Sequence, residues 1–167
     1  GKGGEMLYSL CRGIDNRPVG EREEVKTVSR EHTFNTNTAD REALRKKLLA
    51  LAHDVARRAR RKGLKGRTVV LSYRSDDFNK HSRRTMLPAP TNTGRELFTH
   101  ALRLLDSLPQ GKRFRLIGVG LANLGENTQT SLFDTEEHPE RWEGTERAGD
   151  IIRKKFGDGA IYFAGEK

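Results

Sequence analysis

The chain has one cysteine, Cys11, in 167 residues. A lone thiol closes no disulfide framework and supplies no thiolate cluster for zinc, so Cys11 reads as a small buried or half-buried side chain. Long apolar runs are also missing. None approaches the roughly 20 residues that span a bilayer, and the opening GKGGEM lacks the charged, apolar and small-residue order of a signal peptide. The expectation is a cytoplasmic protein with no membrane partner. Histidines are few, and His32, His53, His81, His100 and His138 stand at no metal-ligand spacing from one another, from Cys11 or from a carboxylate. GKGG lacks the GxxxxGK[ST] spacing of a phosphate loop and has no strand before it. Asp76 and Asp77 are a carboxylate pair of the kind that holds Mg²⁺, yet their place at a strand end beside Phe78 suits a turn. These absences predict no catalytic group, no metal site and no small-molecule substrate in this chain.

Positive charge is what the chain has in excess, +9 formally. Its distribution is uneven: residues 1–117 carry 26 Lys and Arg against 13 Asp and Glu, while residues 118–167 carry 6 against 10. A basic body with an acidic tail points to nucleic acid or another anionic partner. With 34% hydrophobic residues, the length suits one core plus extensions.

Patterning along the chain gives the order of elements. A short helical pattern, Glu5 to Cys11, ends in GIDNRPVGE, where Gly13, Pro18 and Gly20 break regular structure. VKTVSREHTF has the β-branched content of a strand, which the polar Asn35 to Thr38 should stop. From about Ala39 to Lys62, Leu44, Leu48, Leu51, Val55 and Ala59 repeat at three and four residues, the stripe of an amphipathic helix, and Gly63 is its stop. Thr68 to Leu87 reads as a hairpin, closed by the prolines of PAPTNTG. Thr93 and Glu96 form a capping box for a second helix with Leu97, Ala101, Leu104, Leu105 and Leu108 inward. KRFRLIGVGLANL, residues 112–124, is a fourth strand. The last helix, about Arg141 to Phe156, has Trp142, Ala148, Ile151, Ile152 and Phe156 as its apolar positions. The result is an α+β fold, a βαββαβ four-stranded antiparallel sheet with two helices on one face and a C-terminal helix added.

Two helices cover one face of such a sheet and leave the other exposed. In the hairpin, Val69, Leu71 and Tyr73 share one side while Val70, Ser72 and Arg74 share the other. Lys26, Arg30, Arg74, Arg83, Arg84, Arg113 and Arg115 all come from strands of this one sheet. No core has a use for guanidinium groups, whereas a phosphate-rich partner does. The basic residues of the first long helix, Arg57, Arg58, Arg60 and Arg61 among them, read instead as a solvated face. Between sheet and last helix, QTSLF (Gln129, Thr130, Ser131, Leu132, Phe133) sets an aliphatic–aromatic pair in a polar segment. Such a pair either fills a partner's pocket or packs on the domain's own core.

VSREHTF, GRTVVLSYRSDDF with RRTML, and KRFRLIGVGLANL together resemble the little-finger domain of Y-family translesion DNA polymerases, of the DinB or DNA polymerase IV branch. GIDNRPV is similar to the end of that family's thumb and its tether. The resemblance implies residues 1–20 as thumb end and tether, 21–124 as a little-finger DNA-binding domain, 125–138 as a linker, and 139–167 as a helical extension. It implies a sheet that lies in the major groove of a primer-template duplex, with Ser29, Arg30, Ser72, Arg74, Arg83, Arg84, Arg113 and Arg115 facing phosphates. QTSLF resembles the bacterial sliding-clamp motif, with Gln129, Ser131, Leu132 and Phe133 as anchors. The family's Mg²⁺-binding carboxylates belong to a palm that these residues do not include, so the expectation is a non-catalytic piece of a nucleotidyltransferase. A helix beyond the clamp motif leaves an alternative, a catalytically inactive accessory protein of the ImuB type. An RNA-binding module of the same strand order is disfavoured because the strands lack exposed aromatic pairs for base stacking.

Overall fold

The structure, a computed structural model, describes residues 2–15, 25–76, 79–126 and 139–165. In chain order these form α1 (Lys2–Cys11), β1 (Thr27–Thr38), α2 (Arg41–Arg61), β2 (Leu64–Ser75), β3 (Lys80–Thr91), α3 (Gly94–Asp106), β4 (Phe114–Glu126) and α4 (Pro139–Phe156). The sheet order is β1-β4-β2-β3 with every pairing antiparallel. The expected α+β, βαββαβ architecture is present, with β2 and β4 central and β1 and β3 as edges.

Local chemistry explains the long helix. Asp40 starts α2 by accepting hydrogen bonds from the Glu42 and Ala43 N–H groups at 2.9 and 3.2 Å. Gly63, at φ +68, ends it in a conformation that other residues adopt at a cost. Leu44, Leu48, Leu51, Val55 and Ala59 are all buried, as the stripe requires. They meet Leu97, Ala101, Leu105 and Leu108 near α3, and Val28, Val69, Leu71, Tyr73, Phe114, Ile117, Val119 and Leu121 from the sheet, in one core.

Several expectations are corrected. β1 runs through Asn35 to Thr38 instead of stopping there, with its register slipping between Thr33 and Thr38. An edge strand pairs on one side only, so polar residues interrupt it less. Pro88 and Pro90 lie within β3, likewise an edge, where Arg67 donates to the Leu87 and Pro88 carbonyls at 3.2 and 2.9 Å. Cys11 is exposed. Thr93 is the N-cap of α3 but makes no capping bond through its side chain.

Glu146 of α4 takes that role, accepting the Gly94 N–H at 2.8 Å and the Arg95 N–H at 3.2 Å. The expected apolar side of α4 is the wrong one: Trp142, Ile151, Ile152 and Phe156 are exposed. The helix is anchored by acids three and four residues apart instead. Glu143 pairs with Lys65 at 3.1 Å, Glu146 with Arg60, and Asp150 with Arg60 at 2.7 Å. Arg60, read from sequence as solvated, is buried between two carboxylates.

Candidate nucleic-acid interface

Register decides which strand residues share a face, because residues directly opposite in an antiparallel pair point the same way. Val28 opposite Leu121, Arg30 opposite Val119 and Leu71 opposite Arg83 belong to the helix-covered side. Ser29 opposite Gly120, Glu31 opposite Gly118, Val70 opposite Arg84, Ser72 opposite Ser82 and Arg74 opposite Lys80 belong to the open side. Four of the anticipated residues, Ser29, Ser72, Arg74 and Arg84, therefore share the open face. Along β4 its floor is Gly118, Gly120 and Ala122. Small side chains keep that floor low, and none of these open-face residues is aromatic.

Arg30 and Arg83 are corrections. Adjacent strand residues point to opposite faces, so Ser29 with Arg30, or Arg83 with Arg84, cannot both face one partner across the sheet. Arg30 instead has its Nε 3.5 Å from Asp54 Oδ2 of α2. Arg113 donates to the Asn37 carbonyl at 3.3 Å and Arg115 to that of Asn35. Both tie the start of β4 to the stretch of β1 where the register slips, and satisfy carbonyls there. Lys26 is exposed just before β1. Gln129, Ser131, Leu132 and Phe133 lie outside the described residues, as does Asp77.

Two residues that sequence reasoning passed over complete the face. Lys80 opens β3 opposite Arg74, and Glu31 of β1 accepts from Ser72 Oγ at 3.0 Å and from Lys80 Nζ at 2.9 Å. The Lys80 hydrogen bond is the largest influence on the Glu31 carboxyl and holds it below its ordinary range, with Ser72 and the Arg74 charge assisting and partial burial opposing. Alternation from Ser29 would have placed Glu31 here. Among the described residues no carboxylate forms an ion pair with Arg74 or Arg84, and Arg74 Nε is buried without a hydrogen-bond partner.

On the other side a cleft lies among β1, α2 and the segment after α4, lined by Arg30, Lys47, Asp54, Arg57, Asp158 and Tyr162 among others. Arg57 there is shared by Asp54, at 2.8 Å, and Asp158, so its charge is answered internally. Among the described residues no group of three or more His, Cys, Asp or Glu could hold a metal ion, and no helix is long and apolar enough to cross a membrane.

Residues 25–132 match the C-terminal domain of the impB/mucB/samB family. The chain belongs to this family. It is 40% identical over 163 residues to DNA polymerase IV of Caulobacter vibrioides, a match that covers 96% of this chain and 40% of that protein. DNA polymerase IV of Desulfatibacillum aliphaticivorans is 38% identical over 165 residues, with 96% and 42% covered. The chain thus spans about two fifths of the length of these relatives. Among solved structures, a Y-family DNA polymerase chimera superimposes with a TM-score of 0.54 at 20% identity, over 74% of this chain and 36% of the other. A complex of the β-clamp processivity factor and the little finger domain of PolIV gives 0.51 at 18% identity, over 66% of this chain and 99% of the other. The fold is that of a Y-family little finger.

Proposed function

We propose that this chain is the non-catalytic DNA-binding module of a translesion polymerase, which grips the backbone of a primer-template duplex through the open face of its sheet. The observation that carries the reading is the face itself: Arg74, Lys80 and Arg84 with the hydroxyls of Ser29, Ser72 and Ser82, around a floor of Gly118, Gly120 and Ala122. Cations and hydroxyls over a low floor suit phosphates, which position a protein without specifying sequence. That is what an enzyme that works on any sequence needs. The absence of aromatics from this face favours duplex over single-stranded RNA. Catalytic carboxylates and their Mg²⁺ would belong to the rest of the parent protein.

The salt dependence of duplex binding tests this. With about two to three phosphates neutralised by Arg74, Arg84 and Lys80, log K should fall against log salt with a slope of roughly −2 to −3. Arg74→Glu combined with Arg84→Glu should lower its magnitude by about two units. A salt-insensitive affinity, or unchanged binding by the double variant, rejects the reading.

QTSLF supports a second contact, with the sliding clamp, through Gln129, Ser131, Leu132 and Phe133; one structural neighbour is a complex of the β-clamp processivity factor and the little finger domain of PolIV. Leu132→Ala with Phe133→Ala should remove clamp binding while leaving duplex binding intact. An inactive accessory protein remains the alternative parent, and acidic metal-binding positions in the parent's palm distinguish the two.

A further inference from the structure

A carboxylate sits where the open face would otherwise offer its donors to a phosphate. Glu31 starts on edge strand β1, yet its side chain crosses β4 to reach Ser72 on β2 and Lys80 on the far edge strand β3, at 3.0 and 2.9 Å. Gly118 makes the crossing possible. A Cβ at that position would come within 2.6 Å of Glu31 Cγ and 2.5 Å of Ser72 Oγ, so any side chain there would lift Glu31 off the sheet. The groups around the carboxylate are a hydroxyl, an ammonium and, through its charge, the Arg74 guanidinium. This is the donor set that a phosphodiester oxygen takes.

We propose that Glu31 holds the seat of a backbone phosphate in the free protein, and that a phosphodiester docking at Ser72, Lys80 and Arg74 displaces it. The inference rests on the open face being the duplex-binding face. Glu31 is then an internal competitor that moderates the grip. Lys80 contributes little to binding while Glu31 engages it and much more once Glu31 is neutral.

Fluorescence anisotropy of a labelled duplex, read at several NaCl concentrations with the 167-residue chain, tests the proposal. Glu31→Gln keeps the shape of the side chain and removes its charge. It should tighten binding about three- to tenfold at low salt and steepen the log K against log salt slope by about 0.9, the value of one more neutralised phosphate. Lys80→Ala should cost at least about threefold more affinity in the Glu31→Gln background than alone. In a carbon NMR titration the Glu31 carboxyl pKa should rise on duplex binding, as the carboxylate leaves Lys80. Equal or weaker affinity for Glu31→Gln, additive effects with Lys80→Ala, or an unmoved carboxyl in the complex overturns the proposal. Arg84→Glu separates the two levels of the argument. If it weakens binding while Glu31→Gln does not tighten it, Glu31 loses this role and the open-face reading stands. If neither variant changes affinity, both fall.

Discussion

Glu31 and Glu146 are each held by one cation from a distant part of the chain, on opposite sides of the same sheet. Glu31 and Lys80 keep 35% and 55% of their side-chain surface exposed, whereas Glu146 and Arg60 keep 1% and 6%. That difference sets what each pair can do. Water screens the first, which contributes between about 0 and 1 kcal/mol to stability and can be exchanged for another anion. The second has lost its water, so removing one partner strips buried polar groups of the contact that replaced water. The open face is built to trade partners, and the back is built to keep them.

The back should therefore show the largest effect. Glu146→Ala leaves the Gly94 and Arg95 N–H groups without an acceptor and Arg60 with only Asp150 and the Asn92 carbonyl, which should cost on the order of 3 to 5 kcal/mol of unfolding free energy in urea titrations. Duplex affinity, measured well below the transition, should not change. A loss under about 1 kcal/mol would mean that α4 does not cap α3.

His53 gives the next effect. Its ring stacks on Phe163 with centroids 3.9 Å apart and lies against Gly94, where a Cβ would come within 2.2 Å of Nδ1. Burial first, then the Arg60 and Arg153 charges, push its pKa down to about 4, with Asp150 opposing and Glu146 3.8 Å from Nδ1. Unfolded, the same ring titrates near 6.5. Between those values the unfolded chain binds a proton that the folded chain does not, so stability is full above pH 6.5 and is lost as pH falls toward 4. The loss attributable to this ring is on the order of 3 kcal/mol, and His53→Phe should flatten that part of the stability profile.

Periodicity made the frame legible. The spacing of Leu44, Leu48, Leu51, Val55 and Ala59 and the alternation of Val69, Leu71 and Tyr73 each report a local geometry, and local geometry is what a sequence pattern records. The cap of α3 was not legible in this way, since Glu146 lies 52 residues from Gly94 and the nearer Thr93 and Glu96 fit the motif better. The 143, 146, 150 spacing of acids was visible, but the apolar positions of α4 drew the reading to its exposed side. The acidic tail on a basic body was visible as composition, but the pairing of part of its charge with Lys65 and Arg60 was not. Among the strand residues, alternation puts Ser29, Ser72, Arg74 and Arg84 on the open face and Arg30 and Arg83 on the other, a division that depends on register, and register is a property of two strands.

Arg83 and Arg84 turn that last point into the finest test. They are neighbours on one edge strand, both exposed and with the same charge, so composition and long-range electrostatics treat them alike. Register separates them: Arg84 lies opposite Val70 on the open face, and Arg83 opposite Leu71 on the helix side. A charge reversal at either changes the net charge equally and should slow association through the overall field by the same small factor. Only Arg84→Glu should also remove a direct phosphate contact, weakening duplex binding about tenfold more than Arg83→Glu and lowering the magnitude of the salt slope by about one unit. Equal losses from the two variants would mean that the duplex approaches the β3 edge rather than the face, and the division between a trading side and a keeping side would have to be redrawn around that edge.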